Sequence, residues 1–148
     1  MRKIVSKFIL VTTIFVTSCS APSSLYYWGG AQNGASKYEE MAYGLYKKQT
    51  PEAMCAMICV FEGMVSNPGG TRQVPPPGIC AEYAYYLSMP ETADAFANAA
   101  TKRQQKMFER SDYASFFPQY AKQLLEREIT LYPESATFVK PLMEKLLQ

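Results

Sequence analysis

Between residues 35 and 48 the apolar positions Tyr38, Met41, Ala42, Leu45 and Tyr46 recur at spacings of three and four. That rhythm puts them on one face of a helix and leaves Glu39, Glu40 and Lys47 off it. Gln49 ends the run, and Thr50-Pro51-Glu52 starts the next. Threonine can accept an exposed amide, proline fits a first turn, and glutamate suits the positive helix end. Met54, Met57, Ile58, Phe61 and Val65 stripe this second helix, and Cys80, Tyr83, Ala84 and Leu87 stripe a third over residues 79–88. Met89-Pro90-Glu91-Thr92 reads as a break and a restart. The fourth helix is predicted over residues 91–110, with Ala93, Phe96, Ala97, Ala100, Met107 and Phe108 inward. Ser111-Asp112 marks a further start, with the main body of a fifth helix at residues 118–132, because Pro118 is tolerated only near a beginning. Phe117, Tyr120, Ala121, Leu124, Leu125, Ile129 and Tyr132 form its stripe. A last helix over residues 136–147 turns Phe138, Leu142, Met143 and Leu146 inward, and Pro141 kinks it or delays its start. No stretch of four or more residues alternates cleanly as a strand does. The expected fold class is all-α, with about five or six amphipathic helices packed as repeat-like helical hairpins.

Residues 67–78, rich in proline and glycine, cannot be helical. They form either an exposed recognition loop or a stiff spacer that positions the next helix.

The front of the chain follows another pattern. Arg2, Lys3 and Lys7 precede an apolar run over residues 8–16, too short for a bilayer core, which needs about 20 residues. A basic start followed by a short apolar run is a secretory signal. Its end, Val16-Thr17-Ser18-Cys19, has small residues before a cysteine whose thiol can take a diacylglycerol. We read it as a lipobox with Cys19 as the lipidation site. The competing reading is an ordinary signal cut after Ala21. Ser20, rather than an aspartate, after Cys19 points to the outer membrane and the periplasmic side. The domain plan is therefore a signal at 1–18, a lipidated tether and aromatic segment at 19–34, and a helical domain at 35–148.

Composition changes meaning once the signal is set aside. The precursor carries 15 basic and 13 acidic residues, but three of the basic ones lie in the signal. The mature chain is near neutral, and no basic stripe suggests nucleic acid as a partner. Histidine is absent. That removes the usual general base, the usual metal ligand and every Ser-His or Cys-His pair, so no catalytic residue and no metal are expected. No cofactor is expected besides the covalent lipid on Cys19. Cys55, Cys59 and Cys80 remain. Either Cys80 pairs with Cys55 or Cys59 in a disulfide, or all three are small packing thiols.

Leu25-Tyr26-Tyr27-Trp28-Gly29-Gly30 is the most distinctive string of the mature chain and holds its only tryptophan. Tyr26, Tyr27 and Trp28 are a candidate docking strip for a partner or for the membrane. Alternatively the string folds back on the helices, which the cost of leaving so much aromatic surface in water favours.

Around Ala121, Leu125 and Pro133 the chain resembles the second helix of a tetratricopeptide repeat, with residues 93–110 as an insertion. The mature chain as a whole resembles a family of bacterial lipoproteins labelled domain of unknown function 4810. The residues that carry this are Cys19, Leu25-Tyr26-Tyr27-Trp28-Gly29, Tyr38, Tyr46, Pro76-Pro77-Gly78 and Leu131-Tyr132-Pro133-Glu134-Ser135. The three further cysteines and the length between Pro90 and Pro118 depart from the pattern. The resemblance implies an envelope lipoprotein, often encoded beside one similar to the curli secretion pore, with no known activity. The expected function is thus a non-catalytic interaction or assembly module, attached to the membrane by its lipid and bound to another envelope protein. The alternative is a cell-wall or small-ligand binder whose aromatic surface, Tyr26, Tyr27, Trp28, Tyr83, Tyr85 and Tyr86, stacks on sugars or peptides.

Overall fold

Ser36 fixes where the first helix begins. Its hydroxyl accepts the amide of Glu39 at 3.2 Å, and the Glu39 carboxylate accepts the Ser36 amide at 2.8 Å, a reciprocal cap. The computed structural model describes residues 24–32 and 34–146, and within them the protein is all-α. Just ahead of that cap, β1 (Ala31–Gln32) and β2 (Ala35–Ser36) form a two-residue antiparallel ladder, Ala31 opposite Ser36, too short to show in a sequence pattern. Helix α1 (Lys37–Lys48) ends at Gln49, in left-handed conformation. Thr50 then accepts the Ala53 amide at 3.3 Å and opens α2 (Pro51–Ser66), as the sequence predicts. The two helices form an antiparallel hairpin: Tyr38 meets Phe61 near one end, while Leu45 and Met54 face each other at the turn end.

Residues 67–78 carry no helix, in line with their prolines, and Pro75 and Pro76 are buried. Helix α3 (Ile79–Ser88) and helix α4 (Pro90–Ala99) follow, joined at Met89. The buried Thr92 hydroxyl donates to the Tyr86 carbonyl at 2.6 Å and ties the joint.

The predicted helix over residues 91–110 is broken. Ala100 is extended, Thr101 and Gln104 make a second reciprocal cap, and α5 (Lys102–Gln105) is a single turn. Packing explains the break. Phe96 and Phe108 meet at 5.2 Å between ring centres. An unbroken helix would carry their backbones about 18 Å apart, at 1.5 Å per residue. Phe108, Tyr113 and Phe117 all crowd Phe96 edge-on, and the chain bends to bring them there.

Helix α6 (Tyr113–Leu131) starts earlier than the predicted body, with Asp112 capping Ser115. Pro118 lies inside it. Pro118 and Ala114 are both exposed, so the carbonyl that proline leaves without a partner lies on the solvent side. Pro141 in α7 (Ala136–Leu146) has the same setting, with Thr137 exposed one turn before it. A 3-10 turn, Pro133–Ser135, joins the two helices. The core lies among α2, α3, α4 and α6, where Phe61, Tyr83, Leu87, Phe96, Phe117 and Leu124 are buried. Four expected inward residues are exposed instead: Tyr46 at 78%, Phe138 at 81%, Met107 at 42%, and Ala97. Beside Phe138 it is Val139 that enters the core of α7, a one-position rotation of the predicted face.

Candidate functional site

The aromatic string is strapped across the open end of the α1–α2 hairpin. The amides of Thr71 and Arg72 donate to the carbonyls of Ser24 and Leu25 at 3.0 and 3.1 Å. The Tyr38 and Lys37 amides donate to the Trp28 and Gly30 carbonyls at 3.2 and 2.8 Å. Gly70 makes this approach possible. Its φ is +76°, and a Cβ there would lie 2.8 Å from the Leu25 and Ser24 carbonyl oxygens and the Tyr26 Cα. The rings spread rather than stack together. Tyr26 lies under the Arg72 guanidinium, 5.9 Å from its ring centre. Tyr27 lies against Gly69, and Trp28 meets Tyr38 at 5.4 Å. The fold-back geometry is therefore present, yet Leu25, Tyr27 and Trp28 remain 53%, 38% and 36% exposed.

At the other end of the hairpin lies an open apolar groove of about 520 Å³, walled by Ala42, Leu45, Tyr46, Met54, Tyr86, Met89 and Ala95. Helical periodicity assigned Ala42, Leu45, Tyr46 and Met54 to core faces. The break at Met89-Pro90 turns α4 away from α1 and leaves the space between them uncovered.

Two carboxylates that periodicity could not find, Glu62 half-buried and Glu128 buried, hold the helices in register. Glu62 on α2 accepts the hydroxyls of Tyr83 from α3 and Tyr120 from α6, each at 3.0 Å, and a short bond from Ser66 one turn on. Burial, then the neighbouring Glu62 charge, pushes the ionisation of both tyrosines well up, so they stay neutral donors. Glu128 on α6 is 1% exposed and caps α3 from across the core, its Oε1 accepting the Gly78 amide at 2.7 Å. Gly78, with φ +86°, brings no side-chain cap of its own. Burial pushes the Glu128 carboxyl up, against the opposing pull of the Gly78, Cys80 and Ala81 amides, and Oε2 meets no donor. A third link runs from Tyr38 to Glu82 at 2.7 Å. These bonds tie α1, α2, α3 and α6 to one another.

Cys55, Cys59 and Cys80 are free thiols in the structure, so the candidate bridge from Cys80 to Cys55 or Cys59 is not made there. They face different neighbours. Cys55 donates to the Ala95 carbonyl on α4 at 3.4 Å, Cys59 looks towards Lys37 and Glu62, and Cys80 lies beside Glu128 and Arg127. Burial pushes the Cys55 thiol up to about 11 and those of Cys59 and Cys80 up to about 12. Among the described residues no group of three metal-ligating side chains comes together. The six rings considered for stacking do not share one concavity. Tyr83 is buried, Tyr86 lines the groove, Tyr27 lines a separate cavity of about 330 Å³, and Tyr85 packs edge-on to Tyr86. Cys19 lies outside the described residues, and no described helix is long and apolar enough to cross a membrane. No family model matches the chain, and neither the curated proteins nor the solved structures gave a match.

Proposed function

We propose that this chain is an envelope lipoprotein, anchored through Cys19 in the outer membrane and facing the periplasm, whose helical domain is a non-catalytic docking module for another envelope protein. The observation that carries the reading is the groove between α1, α2 and α4, with Tyr46 standing 78% exposed on its wall. A row of Leu, Met and Tyr side chains in an open cleft is the kind of surface into which a partner lays the apolar face of a helix. The absence of histidine and the raised thiols fit a binding role better than a catalytic one. In this reading α3 and α6 form a repeat-like hairpin interrupted by α4 and α5, an interruption that departs from the lipoprotein family the sequence resembles, and the partner belongs to a system with a curli-pore-like lipoprotein.

A photo-crosslinking residue in place of Tyr46, introduced into the chain in its native envelope, tests the docking. One discrete adduct, abolished by Leu45→Glu, is the expected result; no adduct at Tyr46 or Tyr86 in any growth phase counts against it. Anchoring is tested separately: Cys19→Ala should abolish labelling by a fatty-acid probe, and unchanged labelling refutes the lipobox.

A further inference from the structure

The strap leaves a compact set of amphipathic groups at one end of the hairpin. Leu25, Tyr27 and Trp28, near neighbours along the strap, are each partly exposed, and the Arg72 guanidinium rests over Tyr26. Four backbone bonds to α1 and to the 67–72 loop hold the strip in place, so it presents a fixed surface. Its position along the chain decides what it meets. Ser24 lies only five positions after Cys19, at most about 17 Å away even when fully extended. A lipid on Cys19 therefore confines this end of the domain to the neighbourhood of the headgroups.

We propose that Leu25, Tyr27, Trp28 and Arg72 form a docking surface for the phospholipid headgroup layer and hold the domain upright on the membrane. The proposal rests on the lipidation of Cys19 argued above. The chemistry matches: tyrosine and tryptophan favour the depth where an apolar ring meets water, and a guanidinium pairs with phosphate. The patch is too small to bind a vesicle alone. The tether makes its contact intramolecular, at an effective concentration on the order of millimolar, so a weak surface suffices. The consequence for the groove is geometric. Helix α2 runs from the groove at Pro51 to the strap beside Gly63 and Asn67, so about 20 Å of helix separates the two. Docking the strap puts the groove at the end remote from the bilayer, open to the aqueous compartment.

Trp28 is the only tryptophan, so its fluorescence reports on this surface alone. The lipidated chain, purified from its envelope, is reconstituted in protein-free vesicles of phosphatidylethanolamine and phosphatidylglycerol with brominated acyl chains. The expected result is quenching of Trp28 by the brominated lipid and an acrylamide quenching constant at least ~2-fold below that of the Cys19→Ala chain in solution. The Leu25→Ser/Tyr27→Ser variant should still float with vesicles but regain the acrylamide access of the soluble chain, with its thermal unfolding unchanged. A chain that floats with vesicles while Trp28 escapes the brominated lipid overturns the membrane surface and leaves the anchor standing; the strip then serves a protein or nothing. A chain that neither floats nor carries a fatty acid overturns both.

Discussion

Replacing Glu128 with alanine should unfold the domain at a clearly lower urea concentration than replacing it with glutamine. The wild-type carboxylate accepts the Gly78 amide at 2.7 Å at the start of α3. A bond of this charged kind contributes about 1.5–3 kcal/mol, and the helix-end field adds up to about 1 kcal/mol. Alanine removes both and leaves an unfilled volume, partly offset by no longer burying a charge. The net loss should be about 2–4 kcal/mol, or about 1–2 M in the urea midpoint. Glutamine keeps an acceptor for Gly78 at nearly the same volume and should stay within about 1 kcal/mol of wild type. The pH dependence separates the two contributions. Burial raises the folded carboxyl above its unfolded value. Ionisation is therefore harder in the folded state, and this group's contribution falls as pH rises from the ordinary glutamate value, about 4.3, towards the raised one. Acidification through that window should favour wild type relative to Glu128→Gln. Urea melts of the three proteins across this range, followed by circular dichroism, measure it. Equal midpoints for the two variants, or a gap that moves the opposite way with pH, refute the reasoning.

Gly70→Ala should unfasten the strap, because its Cβ has no room against residues 24–26 and its backbone is left-handed; faster hydrogen exchange of the Thr71 and Arg72 amides and a red-shifted Trp28 emission check it. Tyr83→Phe should cost about 1–2 kcal/mol, since it removes one of the hydroxyls on Glu62, and a double-mutant cycle with Tyr120→Phe should show coupling. The thiols, raised to about 11 and 12 by burial, should resist iodoacetamide at pH 8 in the folded protein and react once it is unfolded, with half-buried Cys59 the first to yield.

What the sequence made legible was local. Thr50-Pro51 marks the start of α2, Asp112 that of α6, and the residue 67–78 segment is free of helix, because each depends on chemistry within a turn of the residue concerned. The break at Ala100 was hidden. No proline or glycine makes it; the distant gathering of Phe108, Tyr113 and Phe117 on Phe96 does. Tyr46 and Phe138 show the converse. Both sit on apolar stripes, but no neighbour covers them, and periodicity says which residues share a face without saying what lies opposite. The roles of Glu62 and Glu128 left no mark in the sequence pattern, because their partners lie 21, 58 and 50 positions away. The groove was unreadable for the same reason: its walls come from segments whose separation depends on how the chain turns at Met89.

The reach of α6 sets the order in which the molecule can be completed. Tyr120, Glu128 and Tyr132 are the residues that satisfy Glu62, the start of α3 and the Pro75 carbonyl, each more than a third of the chain earlier. Until the last third is present, Glu62 lacks its Tyr120 hydroxyl and the amides that open α3 lack the Glu128 carboxylate, beside an aromatic face without its cover. Such closure over long sequence separations slows folding and exposes apolar surface in the meantime. A chain that enters its compartment N-terminus first would hold its first three helices unfinished until α6 arrives. The waiting form, rather than the folded one, is then the state most exposed to proteases and most in need of a chaperone.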